Sequence, residues 1–289
     1  MAFNGTVTLS ELISSGVLRS AIAGEVIKAG AEKAILNNPA VVQTFSGADI
    51  EYKLGLMGAT GVEEEVPEGQ AVSIETPEFA GTSVQLTKDV VSVALTDEAV
   101  IRAKASGYNL MQLIQQDATA QLASSINKKI VKALDTTPQA GTSFNIRSAS
   151  IYNAISEAES KMPDGATITA IVCSRQAKVE IMNNLNKISY GGATPGAPAT
   201  GDQIPGLGIP VFGTAAVEKV DSDSIYFVSS EVPGCAWFPG QVKTEFGRNI
   251  ESGLDLLKIS SWSAAKSNLK QTSGNYNLGV VETTWTTTS

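Results

Sequence analysis

The sequence contains no histidine, and this absence removes several kinds of catalytic site at once. Ser-His and Cys-His nucleophile pairs both need an imidazole base, and histidine is the commonest zinc ligand. The usual nucleotide-binding, hydrolase and zinc-protease motifs are missing as well, and Gly206-Leu207-Gly208 lacks the third glycine of a dinucleotide fingerprint. The sequence therefore predicts no catalytic residues, no cofactor and no metal site.

Cysteine and long apolar runs are also scarce. The two cysteines, Cys173 and Cys235, lie far apart in apolar segments, so we expect buried free thiols in a reducing compartment, while the sequence alone leaves a disulfide open. No apolar run reaches the roughly 18 residues of a membrane span. The N-terminus MAFNGTVTLSEL has neither the basic region nor the apolar core of a signal peptide. These features predict a protein that is made in the cytoplasm and has no membrane partner.

Positive charge is outnumbered in this chain of 289 residues. It carries 21 Lys and Arg against 29 Asp and Glu, which gives a formal net charge of −8, and its isoelectric point is near 4.8. A surface that binds nucleic acid would need clustered Lys and Arg. The composition therefore argues against such a surface, and the length is sufficient for two domains or one elongated one.

The strongest positive signal is a predicted helix over residues 108–134. This segment contains no Pro and no Gly, and its apolar residues recur at steps of three and four: Leu110, Leu113, Ile114, Ala118, Leu122, Ile126, Ile130 and Leu134. Such a helix would be roughly 40 Å long, which is about the diameter of a domain. Its lysines gather towards the C-terminal end, where the helix dipole favours cations.

An acidic segment lies between two predicted strands. Alternation over residues 50–56 and again at Val84 and Leu86 is typical of half-buried strands, and the phase reverses from Val91 onward, which predicts a bulge or break at Val90-Val91. No Lys or Arg occurs between Lys53 and Lys88. The segment between the strands holds Glu63, Glu64, Glu65, Glu68, Glu75 and Glu78. A solvated loop is the simpler interpretation, and a projecting two-stranded arm that meets basic residues of a neighbour is the alternative.

The rest of the chain reads as an arm followed by an α/β part. Glycines interrupt an apolar segment over residues 9–36, which we expect to form short helices packed on other elements, an arm that lies on another subunit being one such arrangement. Residues 135–143 read as a linker and 190–208 as a long surface loop. Predicted helices cover 150–162 and a segment capped by Ser174 that includes Val179, Met182 and Leu185. Predicted strands cover 168–173, 209–212, 224–228 and 235–238, and residues 256–289 read as extended.

In this order, these parts resemble the major capsid proteins of tailed bacteriophages, the Hong Kong 97 fold. GVEEEVPEGQAVSIETPEF is similar to that family's E-loop, and LTKDVVSVALTDEAV with the helix after it is similar to its strand and spine helix. ISEAESKMPDGATITAIVCSRQAKVEIMNNLN resembles its axial-domain helix, strand and helix, and IPGLGIPVFGT resembles a core strand. The resemblance implies an α+β fold with an N-terminal arm, an extended E-loop hairpin, a peripheral domain with a long spine helix, and an α/β axial domain.

The resemblance also implies domain boundaries. The arm would cover residues 1–45, and the peripheral domain 46–137, with the E-loop at about 55–86 and the spine helix at about 108–134. The axial domain would cover 138–240, with its loop 190–208 directed to a five-fold or six-fold axis. Residues 241–275 would return to the peripheral domain, and 276–289 would form a final axial strand.

The implied function is structural. Copies would assemble as pentamers and hexamers into an icosahedral head around double-stranded DNA, in the host cytoplasm, with portal, scaffolding and decoration proteins as candidate partners. Contacts between subunits would join the acidic E-loop to basic residues, which are Arg102, Lys104, Lys128, Lys129, Lys132 and Arg248. Some family members crosslink through an E-loop lysine, and this segment has none, so we expect no such crosslink. The alternatives are an encapsulin-like compartment shell, an enzyme that uses carboxylates or a Ser-Lys pair, and a surface-layer or adhesin protein.

Overall fold

A computed structural model describes most of the chain. The described residues are 33–45, 51–57, 79–96, 110–136, 138–146, 150–190, 202–218, 220, 223–232, 234–249, 254–267 and 277–286. Expectations for residues 1–32, for the tip of the acidic segment and for the middle of the 190–208 loop lie outside these ranges.

The described helices are α1 (Leu110–Leu134), α2 (Ile151–Lys161), α3 (Arg175–Tyr190) and α4 (Ala215–Glu218). The described strands are β1 (Gln43–Thr44), β2 (Glu51–Met57), β3 (Phe79–Gln85), β4 (Thr87–Thr96), β5 (Pro138–Ala140), β6 (Phe144–Asn145), β7 (Ala170–Cys173), β8 (Val211–Gly213), β9 (Ser224–Val228), β10 (Cys235–Asn249), β11 (Leu254–Ser267) and β12 (Asn277–Thr286). They form a four-stranded sheet in the order β1-β10-β11-β4, a six-stranded sheet in the order β5-β12-β9-β7-β8 with β6 beside β12, and the hairpin β2-β3.

Helix α1 confirms the predicted long helix, with its first residue at Leu110. The apolar stripe is buried where its side chains are described, and Ile130 and Leu134 are fully inaccessible to solvent. These residues pack in one cluster with Val172, Tyr226 and Trp237. The helix therefore lies against both large sheets, which explains why its stripe runs so far along its length.

The six-stranded sheet is covered on both faces. Alternate residues of β7 show this, because Ala170 and Val172 belong to the cluster around α1, whereas Ile171 and Cys173 belong to a second cluster with α2 and α3. Burial on both faces requires continuous apolar strands, and β7 (AIVC) and β9 (SIYFV) are buried throughout. Both strands were predicted from their apolar runs.

The helices over this sheet follow their sequence signals. Helix α2 buries Ile151, Ile155 and Ala158, and at the start of α3 the Ala177 amide donates to Ser174 Oγ at 3.2 Å, as the predicted cap requires. Val179 departs from the expected face. It is 58% exposed, and the buried face of α3 carries Ala177, Ile181 and Leu185 instead.

The four-stranded sheet is built on two long antiparallel strands, β10 and β11, with 15 and 14 residues. Residues 235–238, expected to be a short strand of the α/β part, are the beginning of β10. The boundary expected after Gly240 therefore falls inside a strand. Pro239 and Gly240 lie within this strand, where a register shift between Pro239 and Val242 accommodates them.

The break predicted at Val90-Val91 lies instead at Leu86, between β3 and β4. Strand β4 pairs with β11 in a continuous register from Thr87 opposite Ser263 to Thr96 opposite Leu254. Strand β3 pairs with β2 in the separate hairpin. The two strands belong to different sheets, so the alternation of buried side chains starts afresh at Thr87.

The expected linker 135–143 also contains a strand. Residues Pro138–Ala140 form β5, which pairs in parallel with β12, and the Gly141 amide donates to the Glu282 carbonyl at 2.6 Å. A proline is tolerated as the first residue of an edge strand. Composition alone therefore misjudged this segment.

Two further segments differ from the expectation of free arms and loops. Residues 33–45, expected to end an arm that lies on another subunit, pack on this chain, where Leu36, Val41 and Val42 are buried. In the expected 190–208 loop, α3 continues to Tyr190 and Ile204 is fully buried. Each segment contains apolar side chains that are buried in the core of the same subunit.

Candidate functional site

Metal-ligating and nucleophilic side chains are the first place to look for a functional site. Among the described residues, no three His, Cys, Asp or Glu side chains come together as metal ligands. Cys173 and Cys235 are free and buried, as predicted. Burial raises the pKa of the Cys173 thiol to about 12, although Lys178 lowers it, and burial raises the pKa of Cys235 as well. Both thiols stay protonated at neutral pH and are poor nucleophiles.

The predicted contact residues are therefore the next place to look for function. The six acidic-segment glutamates, Arg102 and Lys104 lie outside the described residues. Arg248 lies on β10 opposite Asp255 of β11. Lys128 and Lys132 are exposed on α1. These positions remain predictions, but the surroundings of Lys129 are fully described.

Lys129 is engaged within its own subunit. Its Nζ lies 2.5 Å from Asp89 Oδ2 of β4. It also donates to the carbonyl and the hydroxyl of Ser263 on β11, at 3.0 and 2.9 Å. The Lys129 and Asp89 side chains are only 17% and 21% exposed. An ammonium group has three N–H donors, and Lys129 directs them to Asp89 and Ser263. These bonds link α1 to the four-stranded sheet.

A group of lysines that sequence reasoning missed lies on the other face of this sheet. Side chains of paired positions share a face, and successive residues alternate. Lys88 is opposite Trp262, and Lys258 is opposite both Ser92 and Glu245. These residues point away from Asp89 and Ser263, hence away from α1. We call Lys88, Lys243 and Lys258 the lysine face.

The charges of the lysine face are partly paired. Lys243 Nζ lies 3.0 Å from Glu245 Oε1, and Lys258 Nζ lies 3.2 Å from Glu245 Oε2. Hydrogen bonds from Lys243 and then Lys258 lower the pKa of the Glu245 carboxyl. Lys88 Nζ lies 4.9 Å from the centre of the Trp262 ring, in a cation–π contact. Two lysines thus share the Glu245 carboxylate and the third lies over Trp262, so the lysine face keeps an excess of positive charge.

The same face also carries apolar residues. Val84, Leu86, Ala236, Phe238 and Ala264 form a small cluster, against which Phe45 and Trp262 pack. Val90, between the cluster and the paired lysines, is 44% exposed. The cluster itself is buried, so the part of this face that is available to another protein surface consists of Val90 and the lysines. In sequence these residues are scattered between Phe45 and Ala264, so only the register of the strands reveals them.

Comparison with known proteins gives this arrangement a context. The sequence model of a family described as phage capsid protein matches residues 80–285. A search of curated proteins found no match. Among solved structures, the capsid of cyanophage P-SCSP1u is similar with a TM-score of 0.59 and 11% identity, over 88% of this chain and 89% of that one.

Two other structures have the same fold. The capsid of a native GTA particle is similar with a TM-score of 0.60 and 8% identity, over 88% of this chain and 90% of that one. A virus-like particle from Pyrococcus furiosus is similar with a TM-score of 0.54 and 9% identity, over 91% and 98%. At such low identity, the similarity to these structures shows the fold alone. No helix among the described ranges is long and apolar enough to cross a membrane.

Proposed function

The chain belongs to the phage capsid protein family, and from that premise we propose that copies of it close as pentamers and hexamers into an icosahedral head around double-stranded DNA. The supporting observation is the family match over residues 80–285. That range includes α1, the eight complete strands β4 to β11 and all but the last residue of β12, and therefore almost all of both large sheets. The chain is a structural capsid protein of the Hong Kong 97 fold, located in the virion.

We propose further that the chain catalyses no reaction of its own. Its buried thiols are protonated, and Lys129, the half-buried amine on α1, is held by Asp89 and Ser263. A Ser-Lys enzyme would need an amine free to accept a proton. A saturable small-molecule site detected by calorimetry would contradict this part of the proposal.

The contacts between subunits are proposed to join the acidic segment of one copy to basic residues of the next. The exposed lysines among the described residues include Lys128 and Lys132 on α1. On the lysine face, the side chains of Lys243 and Lys258 are 63% and 41% exposed. Arg102, Lys104 and Arg248 remain candidates. An exposed pair contributes only about 0–1 kcal/mol, but every subunit of a closed shell repeats it. Assembly should consequently weaken as salt rises.

The acidic segment also bears on covalent chemistry and on cargo. It has no lysine, so a denaturing gel of shells should show single subunits and no ladder of crosslinked oligomers. The net charge of −8 suits DNA that is packed without adhering to the wall. Assembly in the host cytoplasm, and help from portal, scaffolding or decoration proteins, are further parts of this proposal. The family match favours a genome over the enclosed protein of an encapsulin-like compartment.

The direct test is electron microscopy of the protein expressed alone and with the proteins of a phage lysate. Closed, uniform shells in either preparation would support the proposal. Nuclease-protected DNA in shells from infected cells would support a genome as cargo, and a bound cargo peptide would contradict it. A compact monomer in both preparations, even at high concentration, would overturn the proposal.

A further inference from the structure

Residues 33–45, which we call the strap, touch three parts of the subunit in turn. At the beginning, the Leu36 amide donates to Asn127 Oδ1 of α1 at 3.1 Å. In the middle, Thr169 Oγ donates to the Ala40 carbonyl at 2.8 Å. At the end, the Phe45 amide donates to the Trp237 carbonyl at 2.9 Å. The strap therefore crosses from the helix over the six-stranded sheet to the four-stranded sheet.

The two sheet attachments differ in kind. Thr169 directly precedes β7, and its amide donates to the Val228 carbonyl of β9 at 2.8 Å, so it is fixed to the six-stranded sheet. At the other end, β1 adds in parallel to β10, and the Phe45 ring stacks on Phe238 with centroids 5.0 Å apart and planes 12° apart. One hydroxyl thus holds the strap to one sheet, and a short ladder with an aromatic stack holds it to the other.

The strap runs beside one of the covalent connections between the sheets. That connection, a turn, joins β9 to β10, and its described residues are 229–232 and 234. Ser230 and Glu231 of the turn border an open groove of about 500 Å³ whose other wall is the strap residues Pro39, Val41, Val42, Gln43 and Thr44. The turn itself is pressed against β12, because a Cβ on Gly279 would collide with the Val232 carbonyl. Strap and turn therefore span the junction side by side, with space between them.

We propose that the strap holds the six-stranded and four-stranded sheets at a fixed angle, and that this angle sets the curvature which each copy contributes to a shell. Helix α1 and the β9–β10 connection already join the two sheets, and the strap adds a further attachment to both sheets that resists hinging. The burial of Leu36, Val41 and Val42 keeps the strap in place. The curvature part rests on the function proposed above, and the angle part does not.

The test removes the strap's attachments without removing its buried residues. The variant Thr169→Val with Phe45→Leu loses the hydroxyl bond at one end and the stacking at the other. Thr136→Val is the matched control, because Thr136 Oγ also donates to a carbonyl at 2.8 Å, but to Lys132 within the same helix end. Melting of each variant shows that it is folded, and Thr169→Val alone serves as the strap variant if the double variant does not fold.

The angle is measured in unassembled subunits by electron–electron resonance between spin labels at Val179→Cys and Val90→Cys. These valines are exposed on α3 and β4, and the buried native cysteines do not react with the label. We expect a broader distance distribution in the double variant than in the parent and in Thr136→Val. An unchanged distribution would overturn the proposal.

Shell diameters measured by electron microscopy then test the curvature. We expect the double variant to give a second size or a spread of sizes, whereas the parent and Thr136→Val give a single size. A single, unchanged size together with a broadened distance would overturn the curvature part. If the parent forms no shell under any condition, the proposed function fails, while the distance measurement still decides whether the strap fixes the angle.

Discussion

The two large sheets of this subunit differ in how far their faces are covered within the subunit. The six-stranded sheet is covered by α1 on one face and by α2 and α3 on the other, and its central strands are buried throughout. Helix α1 covers one face of the four-stranded sheet. The opposite face holds the three lysines of the lysine face, the exposed Val90 and a small apolar cluster. The six-stranded sheet is buried between helices of its own subunit, whereas the four-stranded sheet leaves one face available for contact with another molecule.

This difference assigns the two requirements of a shell subunit to different parts of the chain. Fold stability needs dense burial, which the short apolar strands supply. Association with many copies needs an extended surface that stays soluble before assembly, and lysines on a sheet prevent uncontrolled edge and face pairing. Changes in the first region should therefore affect unfolding, and changes in the second should affect assembly.

The largest expected effect is on stability, in the six-stranded sheet. Phe227→Ala should lower the free energy of unfolding by about 3–5 kcal/mol, because it empties a fully buried site between Ile171 and Val281. Val90→Ala on the other sheet should change it by less than about 0.5 kcal/mol. Urea unfolding of unassembled subunits measures both. Equal losses would remove the distinction between the regions.

The next effect is on assembly alone. Reversing Glu63, Glu64 and Glu65 together to Lys should suppress shell formation and leave the melting temperature of the subunit nearly unchanged. The control is Glu157→Lys with Asp164→Lys, which reverses exposed charges beside the six-stranded sheet. Light scattering during assembly, with calorimetry of the subunits, separates the two outcomes. Normal shells from the triple variant would contradict the proposed role of the acidic segment.

A moderate effect is expected where α1 is fastened to the four-stranded sheet. Lys129→Met should cost about 1–3 kcal/mol, since it leaves Asp89 without its charged donor in a largely buried place. Lys128→Met, one residue earlier and exposed, is the matched control and should stay within about 0.5 kcal/mol of the parent. Similar unfolding curves for the two variants would show that Lys129 is not a fastening within the subunit.

The smallest effect concerns the lysine face. Lys243→Ala with Lys258→Ala should leave the unfolding transition in place and reduce the salt dependence of assembly. The Glu245 carboxyl has a lowered pKa because these lysines donate to it. The ion pairs of Glu245 with Lys243 and Lys258 therefore contribute fully above the ordinary carboxyl pKa. Their contribution is lost as pH falls through the lowered pKa of Glu245 in the folded subunit. An unchanged salt dependence would exclude the lysine face from the interface.

The sequence was sufficient for elements whose signal is local. The stripe of α1, the apolar runs of β7 and β9 and the Ser174 cap each follow from neighbouring residues, and each was predicted. Pairing across the chain is a different matter. That residues 235–238 begin a strand of the four-stranded sheet, that Pro138–Ala140 form β5 beside β12, and that the strap packs on its own subunit all depend on distant partners.

The residues of the candidate site differ in the same respect, because some are evident from neighbouring residues and others depend on distant partners. The acidic segment was evident because its glutamates are close in sequence. The lysine face was missed because Lys88, Lys243 and Lys258 are far apart and meet only through the register of β4, β11 and β10. Lys129 was predicted to contact a neighbour because it is a lysine near a helix end. Its engagement with Asp89 required knowing which strand lies beneath the helix.

The most direct test of this account is amide hydrogen exchange, compared between unassembled subunits and closed shells. We predict that protection increases on assembly over residues 87–96, 241–249 and 254–262 of the four-stranded sheet and over the acidic segment. We predict little change in β7, β9 and α2, which are already covered within the subunit. Increased protection confined to the six-stranded sheet and its helices, with none on the four-stranded sheet, would contradict the account.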